Sequence, residues 1–212
     1  MNNVIVLVGM SGVGKSYHTR RLKKKYACKV FSIDDMIASA IHEKNVYDVA
    51  KFLGPPYSSQ YKERSERYLY LEELFTSEAL EYASTHPHER VVIDTTGSVV
   101  HVGASILKRI KNCKYSVFLD TDPLKVVNMV DTYIREPKPV IWGRFASQFS
   151  KDGYLKELQG LYPKLLEERR KMYGSISRYQ VPYTMHKKKT FDLFAYLGLS
   201  IKPKIFSKNK GV

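Results

Sequence analysis

Residues 9–16 carry the motif that constrains the fold of this chain most strongly. They read Gly9-Met-Ser-Gly-Val-Gly-Lys15-Ser16, a G-x-x-x-x-G-K-S pattern, and they follow directly on the apolar run Val4–Val8. A helical pattern follows the motif, so the order along the chain is strand, glycine loop, helix. This order predicts a phosphate-binding loop at the end of a buried strand.

Each residue type in this loop has a physical reason. Gly9, Gly12 and Gly14 permit positive φ angles and a close approach of the backbone to an anion. The backbone N–H groups at the helix N-terminus form an anion nest. Lys15 supplies charge to the β- and γ-phosphates of a nucleoside triphosphate, and Ser16 offers a hydroxyl to Mg²⁺. The alternative, an ordinary glycine turn, is disfavoured by the flanking strand and helix. We expect the nucleotide to bind Gly9, Met10, Ser11, Gly12, Val13, Gly14, Lys15, Ser16 and Tyr17.

The composition indicates one globular domain with anionic partners. The 212 residues suffice for one buried core, and no apolar run is as long as a membrane span. Two cysteines, Cys28 and Cys113, are too few for a disulfide framework and lack metal-ligand spacing. With no basic leader before the first apolar run, these features favour a cytoplasmic setting. The net charge of +14 favours nucleotides, phosphorylated metabolites or nucleic acid as partners.

Short β-branched runs alternate with helical patterns along the chain. The alternation predicts an α/β fold of the P-loop NTPase type, a five-stranded parallel sheet sandwiched by helices. The predicted strands are 4–8, 29–33, 90–94, 115–119 and 179–183, and the predicted helices are 15–26, 35–43, 61–84, 99–111, 123–135 and 154–177.

Two stretches interrupt this alternation. Residues 44–60 contain Gly54-Pro55-Pro56 and lead into a long helix, and residues 136–153 combine prolines with glycines. In a phosphoryl-transfer fold they suit a substrate flap, about 44–84, and a lid, about 136–153; plain surface loops are the alternative.

We treat residues 1–200 as one domain and 201–212 as a basic tail. The lysine run 187–189 fits a solvated basic end better than a nucleic-acid patch.

Two carboxylates follow predicted strands. Because an open α/β sheet presents its ligand groups at the carboxyl ends of its strands, Asp94 is expected to hold Mg²⁺ together with Ser16. Asp34 is expected to orient an acceptor hydroxyl and to accept its proton. Either carboxylate could instead cap a helix or turn, and Asp35 is a rival cap beside Asp34.

Two arginines could supply the positive charge that phosphoryl transfer requires. Arg135 precedes the lid stretch and could close over the γ-phosphate. Arg169, on the last long helix, suits bidentate contact with a carboxylate or phosphate of the acceptor. Solvation at the surface is the alternative for both, and periodicity does not distinguish Arg169 from Arg170. The predicted catalytic residues are thus Lys15, Asp34 and Arg135.

Over about residues 4–197 the chain resembles the shikimate kinase family of small P-loop kinases, which have a nucleoside-monophosphate-kinase-like fold. The loop at 9–16 has the family's spacing, and Phe31-Ser-Ile-Asp34 falls where the family has an Asp-x-Asp pair. Asp94-Thr-Thr-Gly97-Ser98-Val99 falls on the family's triple-glycine loop. Lys138-Pro-Val-Ile resembles its Arg-Pro-Leu-Leu lid sequence, and Glu168-Arg169 with Met172-Tyr173 resembles its Glu-Arg-x-Pro-Leu-Tyr.

The resemblance implies ATP- and Mg²⁺-dependent transfer of the γ-phosphoryl group to a hydroxyl of a small anionic molecule. It also implies that Asp34, Thr96 and Gly97 contact this acceptor and that Arg169 grips its carboxylate. Ser32 replaces the first Asp of the pair, and Thr95 and Thr96 replace two glycines, so we expect an altered acceptor pocket and weak or no use of shikimate. The alternatives are a nucleotide, nucleoside or polynucleotide kinase, or a nucleotide-binding module that binds RNA or protein with little turnover.

Overall fold

The protein is built on a sheet of five parallel strands. The computed structural model describes residues 4–122 and 126–199. The strands are β1 (Val4–Val8), β2 (Lys29–Ser32), β3 (Val91–Asp94), β4 (Tyr115–Leu119) and β5 (Tyr179–Val181). Their order across the sheet is β2-β3-β1-β4-β5, with every neighbouring pair parallel. The predicted fold class is therefore confirmed, with the strand that leads into the glycine loop at the centre of the sheet.

Helices cover both faces of the sheet. The residues of β1 alternate between two layers: Val4, Val6 and Val8 belong to one apolar cluster, and Ile5 and Leu7 belong to the other. This alternation is the expected geometry of a strand buried on both faces. The helices are α1 (Lys15–Tyr26), α2 (Ile33–Ala40), α3 (Val46–Leu53), α4 (Tyr61–Thr85), α5 (Ala104–Asn112), α6 (Val126–Arg135), α7 (Tyr154–Ile176), α8 (Tyr183–His186) and α9 (Leu193–Tyr196).

The strand register brings the predicted site residues to one edge of the sheet. Leu7 of β1 lies opposite Asp94 of β3, and Ser32 of β2 lies opposite the same aspartate. The loop after β1 and the start of α2 after β2 therefore both lie beside the end of β3. Within the described ranges, no helix is both long enough and apolar enough to cross a membrane.

Several element boundaries differ from the prediction. The strand predicted over 179–183 ends at Val181, because Pro182 has no N–H for the ladder and α8 begins at Tyr183. At the other end of the sheet, β2 stops at Ser32 and α2 begins at Ile33, two residues before the predicted start. This earlier start places Asp34 in the first turn of a helix.

The helix predicted over 99–111 is divided in two. A short 3-10 helix, Val99–His101, precedes α5, which begins at Ala104. Gly103 separates them, and its N–H donates to Glu73 Oε2 at 2.8 Å. A Cβ on Gly103 would lie 2.8 Å from Glu73 Oε1, so the break reflects close contact between this turn and α4.

The two interrupting stretches contain structure that the sequence pattern did not indicate. Residues 44–60 include α3, which Asn45 caps by accepting hydrogen bonds from the N–H groups of Tyr47 and Asp48. Residues 136–153, hereafter the lid segment, include a 3-10 helix over Gly143–Gln148 and the fully buried Trp142. Pro123 and the predicted tail 201–212 lie outside the described residues.

Candidate active site

The glycine loop between β1 and α1 has the conformation that its sequence predicts. Gly9, Gly12 and Gly14 have φ angles of 144°, 79° and 113°, in the left-handed region that favours glycine. A Cβ on Gly9 would lie 2.7 Å from the carbonyl oxygen of Leu119, so the loop passes close to the end of β4. Among the described residues, no side chain caps the start of α1, and its first N–H groups are available for an anion.

The side chain of Lys15 contacts the backbone of this loop. Its buried ammonium donates to the carbonyl oxygens of Gly9 at 2.8 Å and Met10 at 3.1 Å. Burial lowers the pKa of Lys15, while the carboxylates of Asp94 and Asp34 act in the opposite direction. The three predicted site residues therefore form one electrostatically coupled group.

Asp94 offers oxygen ligands for a divalent cation. Its carboxyl is buried at the end of β3, beside the side chain of Ser16. The Oδ1 atom is buried and has no hydrogen-bond partner in the described structure. Burial raises the pKa of Asp94, whereas Lys15 opposes this shift. A buried, unsatisfied carboxylate oxygen beside a hydroxyl and a phosphate loop fits Mg²⁺, which binds few protein oxygens together with substrate phosphates.

Asp34 lies in the first turn of α2, and its carboxyl faces the same edge of the sheet. Tyr68 of α4 donates to its Oδ1 at 3.4 Å. Burial raises the pKa of Asp34 to about 6, although the charge of Lys15 acts against this shift. The N-cap position of α2 is occupied by Ser32, so neither Asp34 nor Asp35 is the helix cap considered as an alternative.

The polar loop after β3 packs against the glycine loop. Thr95 donates to the carbonyl oxygen of Leu7 at 2.7 Å, which fixes the loop to β1. A Cβ on Gly97 would lie 2.9 Å from the backbone nitrogen of Ser11, so glycine is required for this approach. Tyr173 donates to the carbonyl oxygen of Gly97.

Glu72 of α4 is a site residue that the sequence analysis missed. Its carboxylate is fully buried and accepts hydrogen bonds from Thr96 and, at 2.6 Å, from Ser98. Burial raises the pKa of Glu72 to about 7, against the effect of these hydrogen bonds. Its spacing in the sequence could have identified it, since Glu72 lies on the buried face of α4, four residues after Tyr68 and four before Thr76.

Arg169 lies inside the protein beneath the lid segment. Its Nε donates to Nε2 of His101 at 3.2 Å, and its Nη2 donates to the carbonyl oxygen of Ile141 at 2.5 Å. Burial and the adjacent guanidinium lower the pKa of His101 to about 4, so the imidazole is neutral at pH 7. Arg170, in contrast, forms a bidentate pair with Asp120, with both distances 2.7 Å. The structure thus separates the two arginines that periodicity could not.

The lid segment brings Lys138, not Arg135, next to the glycine loop. Lys138 Nζ lies 3.7 Å from the position of a Cβ on Gly12, and its charge contributes to the lowered pKa of Lys15. Arg135, at the end of α6, is exposed, and its Nε donates to the carbonyl oxygen of Asp131 at 3.3 Å. Arg135 borders a different cavity, next to α3.

A cavity of about 320 Å³ opens beside the glycine loop. It extends from the loop towards α6 and α8 and is large enough for part of a small ligand. Its walls are formed by Ser11, Gly12, Val13, Thr121, Met129, Thr132, Tyr133, Glu136, Lys138, Tyr162, Tyr183 and Lys187.

The fold is shared with solved structures of known proteins. No protein-family model and no curated protein matches the chain significantly. The shikimate kinase of Bacteroides thetaiotaomicron superimposes with a TM-score of 0.57 at 20% identity, covering 92% of this chain and 94% of that one. The shikimate kinase of Acinetobacter baumannii, solved with shikimate, gives 0.54 at 14% identity, covering 95% and 97%. That of Aquifex aeolicus gives 0.53 at 19%, covering 85% and 86%. The chain has the fold of the shikimate kinases.

Proposed function

We propose that this protein is an ATP- and Mg²⁺-dependent kinase that transfers the γ-phosphoryl group to a hydroxyl of a small anionic molecule. The observation that carries the proposal is the coupled group of Lys15, Asp94 and Asp34 at one edge of the sheet. It combines a cation for the donor phosphates, ligands for a metal and a carboxylate for an acceptor hydroxyl. The fold shared with shikimate kinases supports the same reaction class.

The glycine loop forms the donor side of the site. Its backbone N–H groups bind the phosphates, and Lys15 exchanges its bonds to the Gly9 and Met10 carbonyls for phosphate oxygens. Ser16 and Asp94 would hold Mg²⁺, which supplies charge neutralisation at the phosphates. Arg135, which precedes the lid segment, would leave the Asp131 carbonyl to reach the transferring group, whereas Lys138 already lies beside Gly12.

Asp34 is the central group of the acceptor side. With a pKa of about 6, its carboxylate is ionised at pH 7 and accepts a hydrogen bond, and then the proton, from the acceptor hydroxyl. Thr96 and Gly97 border the acceptor from the loop after β3. Arg169 binds the acceptor's anionic group when the Ile141 carbonyl gives up its Nη2 contact.

Most of the rate enhancement comes from positioning and fixed charge, because phosphoryl transfer requires little covalent chemistry from the protein. Asp34 lies just after β2 and the glycine loop lies just after β1, with β3 between these two strands. Their separation is set by the rigid ladder between β1, β2 and β3. This arrangement favours in-line transfer from a bound triphosphate to an adjacent hydroxyl.

A panel assay tests the proposal. ATP consumption is measured with small hydroxyl-bearing acids, shikimate, nucleosides, nucleotides and single-stranded RNA. We expect turnover with at least one small acid, and we expect the turnover rate to fall at least about 100-fold in Lys15→Ala. Lys23→Ala, which removes an exposed lysine from the same helix, should retain the wild-type rate. Turnover on RNA ends or nucleosides alone would replace the proposed acceptor class, and no Lys15-dependent turnover would overturn the kinase function.

A further inference from the structure

Lys187 is exposed, as its basic run predicts, and its side chain also reaches the glycine loop. Its Nζ is 3.6 Å from the position that a Cβ on Gly14 would occupy. Gly14 is the N-cap of α1 and has a φ of 113°. The ammonium of Lys187 is therefore placed at the helix end where a bound phosphate would lie.

The backbone before Lys187 is anchored to the core. The buried His186 lies with Nε2 2.8 Å from the carbonyl oxygen of Asp120, which follows β4. Its ring also contacts the ring of His18 on α1 edge-on, with centroids 5.8 Å apart. Because α1 begins with Lys15 and Ser16, the last two residues of the glycine loop, these contacts fix the origin of the Lys187 side chain relative to that loop.

Among the described residues, no carboxylate pairs with the charge of Lys187. Its Nζ lies over the ring of Tyr183, 5.3 Å from the centroid, and partial burial lowers its pKa. Across residues 4–122 and 126–199, neither Lys187 nor Lys138 forms an ion pair with a carboxylate. Lys15, Lys138 and Lys187 thus surround one loop with positive charge, an arrangement that favours binding of a polyanion.

We propose that Lys187 is a phosphate-binding residue that contacts the α- and β-phosphates of the bound nucleotide. The cavity beside the loop reaches both Tyr183 and Lys187, so a nucleotide held by the loop has access to this ammonium. Gly14 immediately precedes α1, and the backbone of such a loop holds the α- and β-phosphates, whereas Lys15 reaches the β- and γ-phosphates. The inference depends on one part of the proposed function, namely that the glycine loop binds ATP.

Binding measurements on the full chain test the proposal without relying on turnover. Affinities for ATP and ADP are measured by calorimetry for the wild type, Lys187→Ala and Lys187→Gln. The matched controls are Lys188→Ala and Lys189→Ala, which remove exposed lysines from the same run. Loss of a charge-assisted phosphate contact should weaken both nucleotides about tenfold in both Lys187 variants. The control variants should stay within about twofold of the wild type.

Three results would overturn the proposal. The first is an equal loss of nucleotide affinity in Lys187→Ala and Lys188→Ala, which would attribute the effect to general surface charge. The second is full affinity in Lys187→Gln, which would assign the effect to packing of the side-chain stem. The third is a loss of affinity for ATP without a loss for ADP, which would place Lys187 at the γ-phosphate.

Inorganic pyrophosphate, used as a competitor of ATP, separates a phosphate contact from a contact with base or ribose. Its inhibition constant should rise in Lys187→Ala by the same factor as the dissociation constant of ADP; an unchanged value would contradict a phosphate contact. If Lys187→Ala weakens nucleotide binding but no acceptor is phosphorylated, the kinase proposal fails and the phosphate contact stands. If catalysis is found and Lys187→Ala matches its controls, only the present inference fails.

Discussion

The side chain of Ser16, at the start of α1, lies beside the carboxyl of Asp94, at the end of β3, and acts against the rise in the Asp94 pKa that burial causes. This proximity places the phosphate-binding half of the site next to the strand end that would hold the metal. Because Oδ1 of Asp94 is buried and lacks a partner in the described structure, this carboxyl is poised for a ligand that the protein itself does not supply.

Asp94→Asn should abolish the effect of Mg²⁺ on nucleotide binding. The amide keeps the size of the side chain but removes the charged oxygen that a hard cation requires. We expect Mg²⁺ to tighten ATP binding in the wild type and to have no such effect in the variant, with a turnover loss of about 100-fold. ATP affinity is measured with Mg²⁺ and with EDTA. Asp35→Asn, at an exposed carboxylate, is the control, and an equal Mg²⁺ effect in Asp94→Asn and wild type would refute the metal site.

The pH dependence of catalysis should report Asp34. Since the pKa of Asp34 is about 6 and the carboxylate is the form that accepts a proton, kcat/KM should fall about tenfold per pH unit below pH 6. Above that value it should level off. The pH profile is measured for the wild type and for Glu72→Gln, which removes the other titrating carboxyl near pH 7. Asp34→Asn should be nearly inactive. A flat wild-type profile between pH 5 and pH 7 would be inconsistent with this role.

Glu72 should make the stability of the protein decrease as pH rises. Its pKa is about 7 in the folded protein and about 4.3 in an unfolded chain, so the folded state retains a proton that the unfolded state loses between these values. The free energy of unfolding of the wild type should therefore fall relative to Glu72→Gln from about pH 4.5 to pH 7, and the difference should then be constant.

Urea unfolding at several pH values measures this difference. Glu78→Gln, at an exposed position of the same helix, should follow the wild type at every pH. A constant difference between the wild type and Glu72→Gln over the whole range would show that Glu72 titrates normally.

Shikimate should be phosphorylated weakly or not at all. Thr95 and Thr96 place buried side chains where the family has glycines, and their hydroxyls are committed to Leu7 and Glu72. The Nη2 of Arg169 is occupied by the Ile141 carbonyl. Steady-state rates with shikimate, corrected for the background of Lys15→Ala, check this expectation. Robust turnover would mean that these substitutions leave the acceptor pocket unaltered in function.

The central fold was predictable because its signals are local. The run Val4–Val8, the glycine loop and the helix after it are contiguous, and each can be recognised from its own sequence alone. The positions of Asp34 and Asp94 at the sheet edge were predictable for the same reason, since each lies at or within two residues of the end of a strand. The parallel arrangement then follows from the alternation of strands and helices.

The missing parts of the site depend on contacts between distant segments. Glu72 becomes a site residue only because Thr96 and Ser98 lie against α4, and no local pattern specifies that pairing. Lys187 is exposed, as its basic run predicts, but its position beside the loop was not predictable, because it depends on the packing of His186 against α1 and β4. Arg135 and Lys138 are three residues apart, and only the path of the lid segment decides which lies beside Gly12.

The central claim is transfer of the γ-phosphoryl group to an acceptor hydroxyl, and isotope tracing measures it directly. ATP labelled in the γ-phosphate is incubated with Mg²⁺ and the best acceptor from the panel, using the wild type and Lys15→Ala. The account predicts that the label appears in an acid-stable phosphate ester of the acceptor, in amounts equal to the ADP formed, only with the wild type. Label recovered solely as inorganic phosphate, or left in ATP with every acceptor, would contradict it.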